Sequence, residues 1–349
     1  MNQTSERRRV IVSSPRVIEI VKERIPELGA NEALVSLKVA GVCGSDVHGA
    51  QGTHPTITLP YYPGHEVVGI VHKIGAAVTD LALGSLVTPE PTLPCGSCKM
   101  CLNGKENICE NLDFFGCGFP EGGMADFFPI RADRLRVIPQ SFNLKQAALI
   151  EPLATPVHAV ALAGTVLGAK VVIFGCGTIG LLALAAARHA GAAQIVMTDM
   201  LETKRDRALT LGADAVVDAS STDAEAAVRA ALGESADVVF DCVATEFTVN
   251  SGVRLVERGG IVVIIGVPAG PIQVPLERIQ DRQIRIQGAA TYTREDYDAA
   301  IGIIAAGKVD AEEFITSTYR LADAAEAFAA AAGGEEVKVL ITADDVDFR

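Results

Sequence analysis

The chain has 349 residues, more than the ~250–300 at which a single hydrophobic core stops growing, so two domains are expected. With 49% hydrophobic and 21% charged residues it has the composition of an ordinary globular protein. A formal net charge of −13 repels phosphate backbones and anionic lipid, which argues against nucleic-acid and membrane-surface partners.

The N-terminal string MNQTSERRRVIV lacks the apolar stretch of a secretion signal, and Arg7-Arg8-Arg9 read as a solvated tail. From Arg9 to about Pro139 the text is strand-like and turn-rich. EALVSLKVAG, EVVGIVHKIG and GSLVTP are short apolar runs bounded by Gly and Pro. From about Thr155 to Ala289 apolar strands alternate with helical stretches. The strands are KVVIFG, QIVMTD, AVVD, DVVFDCV, GIVVIIG and IRIQGA, with helices predicted over 179–190 and 202–211. Near-continuous apolar strands separated by helices predict a parallel sheet covered on both faces. The apolar run 171–187 falls short of a membrane span and carries three glycines where a strand should turn into a helix. A buried strand–helix unit explains it. The last sixty residues hold two Ala-rich helical runs and a closing strand over 337–342 that is expected to return to the first region. The predicted architecture is α/β: a β-rich domain of residues 1–153 and 290–349, and a doubly wound parallel-sheet domain of residues 154–289.

Gly175-Cys176-Gly177-Thr178-Ile179-Gly180 matches G-x-G-x-x-G, follows the strand KVVIF and opens the helix GLLALAAARHA. In that context the glycines allow a tight turn and let the backbone approach a pyrophosphate, which then lies on the helix N-terminus. Asp199 ends the next strand, where a carboxylate should bind the adenosine ribose hydroxyls. It would repel a 2′-phosphate, so NAD is expected over NADP. Lys204 is placed to contact the same ribose. The bland alternative makes the glycines packing residues and Asp199 a surface cap.

Cys95, Cys98, Cys101 and Cys109 crowd into fifteen residues with Gly and Asn at the turns. Such a cluster in a cytoplasmic chain suggests a metal before disulfides. Four thiolates complete a tetrahedral zinc site with no open position, which makes it structural rather than catalytic. An iron–sulfur cluster takes the same ligands and stays open at this point. Cys117, Cys176 and Cys242 fall outside any such spacing and read as small apolar core residues.

Other ligand-type residues are dispersed: Cys43 in GVCGSDVH, His65 and Glu66 in PGHEVVG, and Glu151 in IEPLA. Position alone does not join them. In order and spacing, however, GVCGSDVH, PGHE, the four-cysteine lobe, EPLA and GCGTIG together resemble the zinc-containing medium-chain alcohol dehydrogenases, in particular the sorbitol, threonine and butanediol branch. The resemblance covers nearly the whole chain. It implies a GroES-like catalytic domain, a Rossmann coenzyme domain and a substrate cleft between them, with two zinc ions per chain and NAD. It further implies Cys43, His65 and Glu66 as ligands of a catalytic zinc, with Glu151 either binding the ion or holding its water. Asp46 resembles the carboxylate that orients the zinc-binding histidine. Ser45 and His48 resemble a relay that carries the alcohol's proton to solvent while its hydride goes to the nicotinamide.

The same resemblance makes Phe114, Phe115 and Tyr292 candidate substrate contacts and implies a homo-oligomer, a tetramer or dimer joined through the coenzyme domain. Thr291 and Gly49 depart from the sorbitol dehydrogenase pattern, which disfavours sorbitol itself. The expected substrate is a polyol or related sugar derivative, with a vicinal-diol or threonine-type dehydrogenase as the alternative within the family. Outside it stand a zinc-ribbon interaction protein and a non-catalytic nucleotide sensor. Only Lys99 and Lys105 accompany the cysteine lobe, which argues against nucleic-acid recruitment, and an open zinc site would exclude the sensor.

Overall fold

A computed structural model describes residues 6–118 and 120–348. The chain divides into two compact units, Met1–Glu151 with Asp310–Arg349, and Pro152–Val309. The second boundary differs from the expected 289/290. The helix Arg294–Ala305 belongs with the parallel-sheet unit, held there by a 2.7 Å contact from Asp296 to His158 on the helix Ile150–Ala163.

The first unit is built on a seven-stranded sheet. Its order is Ile315–Arg320, Lys338–Thr342, Glu32–Val42, Glu66–Ile74, Leu86–Pro89 and Leu135–Val137, with Phe127–Arg131 also pairing to Glu32–Val42. The closing strand does return to this unit: Val339 pairs with Val42 and Ile341 with Ala40. Alternating apolar residues such as Val35, Leu37, Val67 and Val71 bury one face against Phe115, Phe128 and Phe328.

The N-terminal arginines are not a solvated tail. They lie in the strand Glu6–Ser14, which pairs with Val17–Arg24. Strand alternation turns Arg7 and Arg9 to the same, buried side. Arg7 contacts Glu23 and Glu121 at 2.7 and 2.8 Å, and Arg9 stacks 3.3 Å from the centre of the Tyr62 ring. Buried guanidinium groups require such partners, and composition alone does not disclose them.

The second unit contains the six expected strands in one parallel sheet. Their order is Ala215–Asp218, Gln194–Asp199, Lys170–Phe174, Ala236–Asp241, Val256–Ile264 and Arg285–Gly288. The direction of winding reverses between Lys170–Phe174 and Ala236–Asp241, and ligands of open α/β sheets bind outside the strand ends at such a point. Gly175, Asp199 and Cys242 follow or close the three strands nearest it. No described helix is long and apolar enough to cross a membrane.

Candidate active site and metal centres

The cysteine lobe folds around its own backbone amides. Cys98 precedes the short helix Lys99–Leu102, and its Sγ accepts from Cys101 N at 3.5 Å. Cys95 Sγ accepts from Cys98 N, and Cys109 Sγ accepts from Cys95 N and Asn111 N. The amides of Ser97 and Cys98 draw the Cys95 thiol down to about 5, whereas burial pushes Cys101 up to about 12. All four sulfurs lie within 4.8 Å of one another, with Cys98 at 3.5 Å from Cys101 and 3.8 Å from Cys109. A tetrahedron of ~2.3 Å zinc–sulfur bonds has edges of about 3.8 Å, so the donor set fits one zinc ion. Thiolates on separate irons of a cluster stand further apart, which decides the alternative left open by spacing.

The second group starts where the strand Glu32–Val42 becomes the helix Gly44–Gln51. Cys43 is the N-cap, and its backbone N–H donates to Asp46 Oδ2 at 3.0 Å. This reciprocal cap explains why GVCGSD folds as a strand end and helix start. Asp46 is completely buried, and its other oxygen, Oδ1, has no hydrogen-bond partner and lies 3.7 Å from His65 Nδ1. Burial raises the Asp46 carboxyl to about 6, although the facing His65 opposes the shift. Ser45 Oγ is 3.5 Å from His65 Nε2. His48 is exposed in the last turn of the same helix, with Nδ1 3.3 Å from Thr53 Oγ1.

His65 and Glu66 open the strand Glu66–Ile74, and both are buried. A Cβ on Gly41, across the strand pair, would stand 2.0 Å from Glu66 Oε2, so any larger residue there would push this carboxylate from its place. Ligand atoms of Cys43, His65 and Glu66 lie within 4.8 Å of one another. A sulfur, a nitrogen and a carboxylate, three donors for a four-coordinate ion, fit an open zinc site. Glu151 stands outside that tight cluster, buried in the first turn of the helix Ile150–Ala163.

Two neighbours of this site are not apparent from the sequence. Lys338, buried on the strand Lys338–Thr342, donates through Nζ to both oxygens of Glu66, at 2.8 and 2.7 Å. Burial works against its charge, but Glu66, Cys43 and Glu151 together raise its pKa above the ordinary value. Cys117 is the other. Its Sγ lies 3.3 Å from His65 Nδ1, which corrects its reading as a plain core residue.

The aromatic candidates separate. The Phe114 ring meets His65 edge-on, with centroids 5.7 Å apart. Phe115 is fully buried in the core, its ring centre 5.4 Å from that of Phe128. Tyr292 is also buried, 5.5 Å between ring centres from Tyr297.

In the second unit, Gly177 caps the helix Thr178–His189, whose first turn includes Thr178 and Ile179. A Cβ on Gly180 would stand 1.8 Å from the Gly175 carbonyl oxygen, so the helix can approach its strand this closely only with glycine there. Asp199 accepts from Cys176 N at 2.8 Å through Oδ2, which fixes its carboxylate beside the glycine loop. It borders a mainly apolar cavity shared with Gly175, Met200, Val243 and Phe247. Lys204 lies in the next helix, Glu202–Thr210, and its charge acts on Cys176. Cys176 is buried, as a core residue should be, and Cys242 is partly buried.

Residues 29–140 match the model of the alcohol dehydrogenase GroES-like domain, and residues 178–306 match that of the zinc-binding dehydrogenases. The chain is 34% identical over 332 residues to D-xylulose reductase A of Aspergillus oryzae, covering 92% of each protein. A Sinorhizobium meliloti 1021 protein solved with NADP bound has a TM-score of 0.91 at 33% identity, covering 97% of this chain and 100% of that one. L-Idonate 5-dehydrogenase of Escherichia coli K-12 has a TM-score of 0.88 at 27% identity, covering 97% and 98%. The cofactors are zinc and a nicotinamide dinucleotide. With a GroES-like unit carrying a thiolate lobe and an open Cys-His-Glu cluster, and a Rossmann unit beside it in sequence, the chain belongs to the zinc-binding medium-chain alcohol dehydrogenases.

Proposed function

We propose that the protein oxidises a secondary alcohol of a polyol or related sugar derivative with NAD, and reduces the corresponding ketone in the reverse direction. The cluster of Cys43, His65 and Glu66, with Ser45 beside His65, is the observation that carries this reading. These three residues would hold the catalytic ion, with Glu151 next to them, and Cys95, Cys98, Cys101 and Cys109 would hold the structural one. Zinc would supply Lewis acidity toward the substrate hydroxyl, and the nicotinamide ring would accept the hydride. The chain's own residues do the rest. Asp46, 3.7 Å from Nδ1, helps to orient His65. Ser45 Oγ takes the substrate hydroxyl's proton as it hands its own onward, and His48, exposed in the last turn of the same helix, releases a proton to solvent. Phe114 closes one side of His65 and limits water there.

The carboxylate of Asp199 favours NAD, since a 2′-phosphate beside it would be repelled. The kinship with D-xylulose reductase A favours a pentitol, and that with L-idonate 5-dehydrogenase a sugar acid. Assembly as a dimer or tetramer is supported by the edge strand Arg285–Gly288, exposed along its whole length with Ile286 among its residues. The eight free cysteines, four of them in a lobe that must stay reduced to hold a metal, support a cytoplasmic protein. The test is a panel of xylitol, sorbitol, L-idonate and 2,3-butanediol with NAD and with NADP, read by absorbance of the reduced nicotinamide. Turnover of a polyol with NAD is the expected result. Preference for the simple diol would replace the polyol by the vicinal-diol reading, and no turnover of any member would overturn both.

A further inference from the structure

A buried histidine that gives one nitrogen to a metal must place the hydrogen of the other nitrogen on an acceptor. At His65 the two nitrogens have different surroundings. Nε2 faces the Ser45 hydroxyl at 3.5 Å, whereas Nδ1 faces Cys117 Sγ at 3.3 Å and Asp46 Oδ1 at 3.7 Å. The carboxylate distance is too long for a direct hydrogen bond, and the other Asp46 oxygen is already engaged by Cys43 N. Sulfur is the larger atom, and 3.3 Å is within its hydrogen-bonding reach. Oδ1 has no hydrogen-bond partner among the described residues, so Cys117 Sγ is the acceptor within reach of Nδ1, although all three groups lie within 4.8 Å of one another.

We propose that Cys117 is a positioning residue for the catalytic zinc: its sulfur accepts Nδ1–H of His65. This linkage fixes the His65 tautomer with the Nε2 lone pair available to the ion. Phe114 packs edge-on to the same ring and restrains its tilt. Cys117 thus does through His65 what Asp46, at its longer distance, cannot do alone. The proposal rests on the reading of Cys43, His65 and Glu66 as the catalytic zinc site.

Zinc retention tests it without reference to turnover. Holoenzyme of wild type, Cys117→Val and Cys117→Ser is equilibrated with a graded series of chelator concentrations, and zinc per chain is counted at each. Valine, bulkier than cysteine, offers no acceptor to Nδ1–H; serine offers one in a smaller volume. Cys117→Val should release the catalytic zinc ~10-fold more readily, at the lower end of what loss of an outer partner costs, while keeping the lobe zinc. Cys117→Ser should stay close to wild type. Retention by the valine variant equal to wild type overturns the proposal, as does a serine variant as weak as valine. A wild type that holds only the lobe zinc overturns the catalytic-site reading itself and the proposal with it. Retention of the lobe zinc serves as the internal check that each variant is folded.

Discussion

Lys338 Nζ donates to both carboxylate oxygens of Glu66 at 2.8 and 2.7 Å, and both side chains are buried. The two residues are 272 positions apart in sequence and meet because the closing strand pairs with Glu32–Val42, itself the neighbour of Glu66–Ile74. A buried carboxylate left without its cation is destabilising by about 3–5 kcal/mol. Lys338→Met should therefore lower stability by that order in denaturant unfolding. Combining it with Glu66→Gln should cost less than the sum of the single changes. An additive double variant would mean that the pair contributes nothing as a pair.

Ser45 and His48 share one helix but should fail differently. Ser45→Ala removes the hydroxyl beside His65 and should lower turnover by several orders of magnitude with zinc retained. His48 is exposed, so water or buffer can substitute, and His48→Gln should cost ~10-fold. Imidazole buffer should restore part of that rate. A His48→Gln enzyme with wild-type turnover in every buffer would remove His48 from the proton path.

Cofactor choice turns on Asp199. Asp199→Ser keeps a hydroxyl for the ribose but removes the charge that opposes a 2′-phosphate. The ratio of kcat/KM for NAD over NADP should fall, by at least tenfold if the charge dominates. A wild type that prefers NADP, the dinucleotide present in the Sinorhizobium structure, would contradict this assignment.

The buried pair His158–Asp296 predicts an acid dependence. Burial pushes the Asp296 carboxyl up, but His158 and the N–H and hydroxyl of Thr293 outweigh it and hold the group below its ordinary 3.8. A depressed folded pKa stabilises above the unfolded value and is lost as pH falls through the folded one. Asp296→Asn should thus lower Tm at neutral pH, and its gap from wild type should close as pH falls below the ordinary carboxylate value of 3.8. A gap that stays constant over that range would show that the carboxylate's charge is not what stabilises the helix Arg294–Ala305.

Much of this was legible in the residues because it is local. The inner strands of the coenzyme unit, such as Lys170–Phe174 and Ala236–Asp241, are apolar on both faces and need no partner to be recognised. The thiolates of the lobe fall within fifteen residues, and the reciprocal cap of Cys43 and Asp46 is written within four. What was missed depends on partners supplied by topology. Arg7 and Arg9 look like a tail until Glu121 and Tyr62 are brought beside them. Lys338 follows Glu335 and Glu336 in sequence, which gives no sign of its partner Glu66 on another strand, and Cys117 between two glycines carries no metal spacing. Phe115 stands one residue past the end of the strand Asp113–Phe114, and the turn there puts its ring in the core while Phe114 meets His65. The His158–Asp296 contact, which ties the helix Arg294–Ala305 to the coenzyme unit, is one that no periodicity discloses.

The central claim is that Cys43, His65 and Glu66 form an open zinc site separate from the cysteine lobe. The direct measurement is zinc per chain, by metal analysis, taken together with turnover on the best polyol for wild type, His65→Ala and Cys98→Ser. Wild type should contain about two zinc ions per chain. His65→Ala should keep about one, bind NAD and remain folded, but lose turnover. Cys98→Ser should lose the lobe ion and with it thermal stability, because structural zinc contributes folding energy. A His65→Ala protein that still turns over the polyol, or a wild type with one zinc and full activity, would contradict the account.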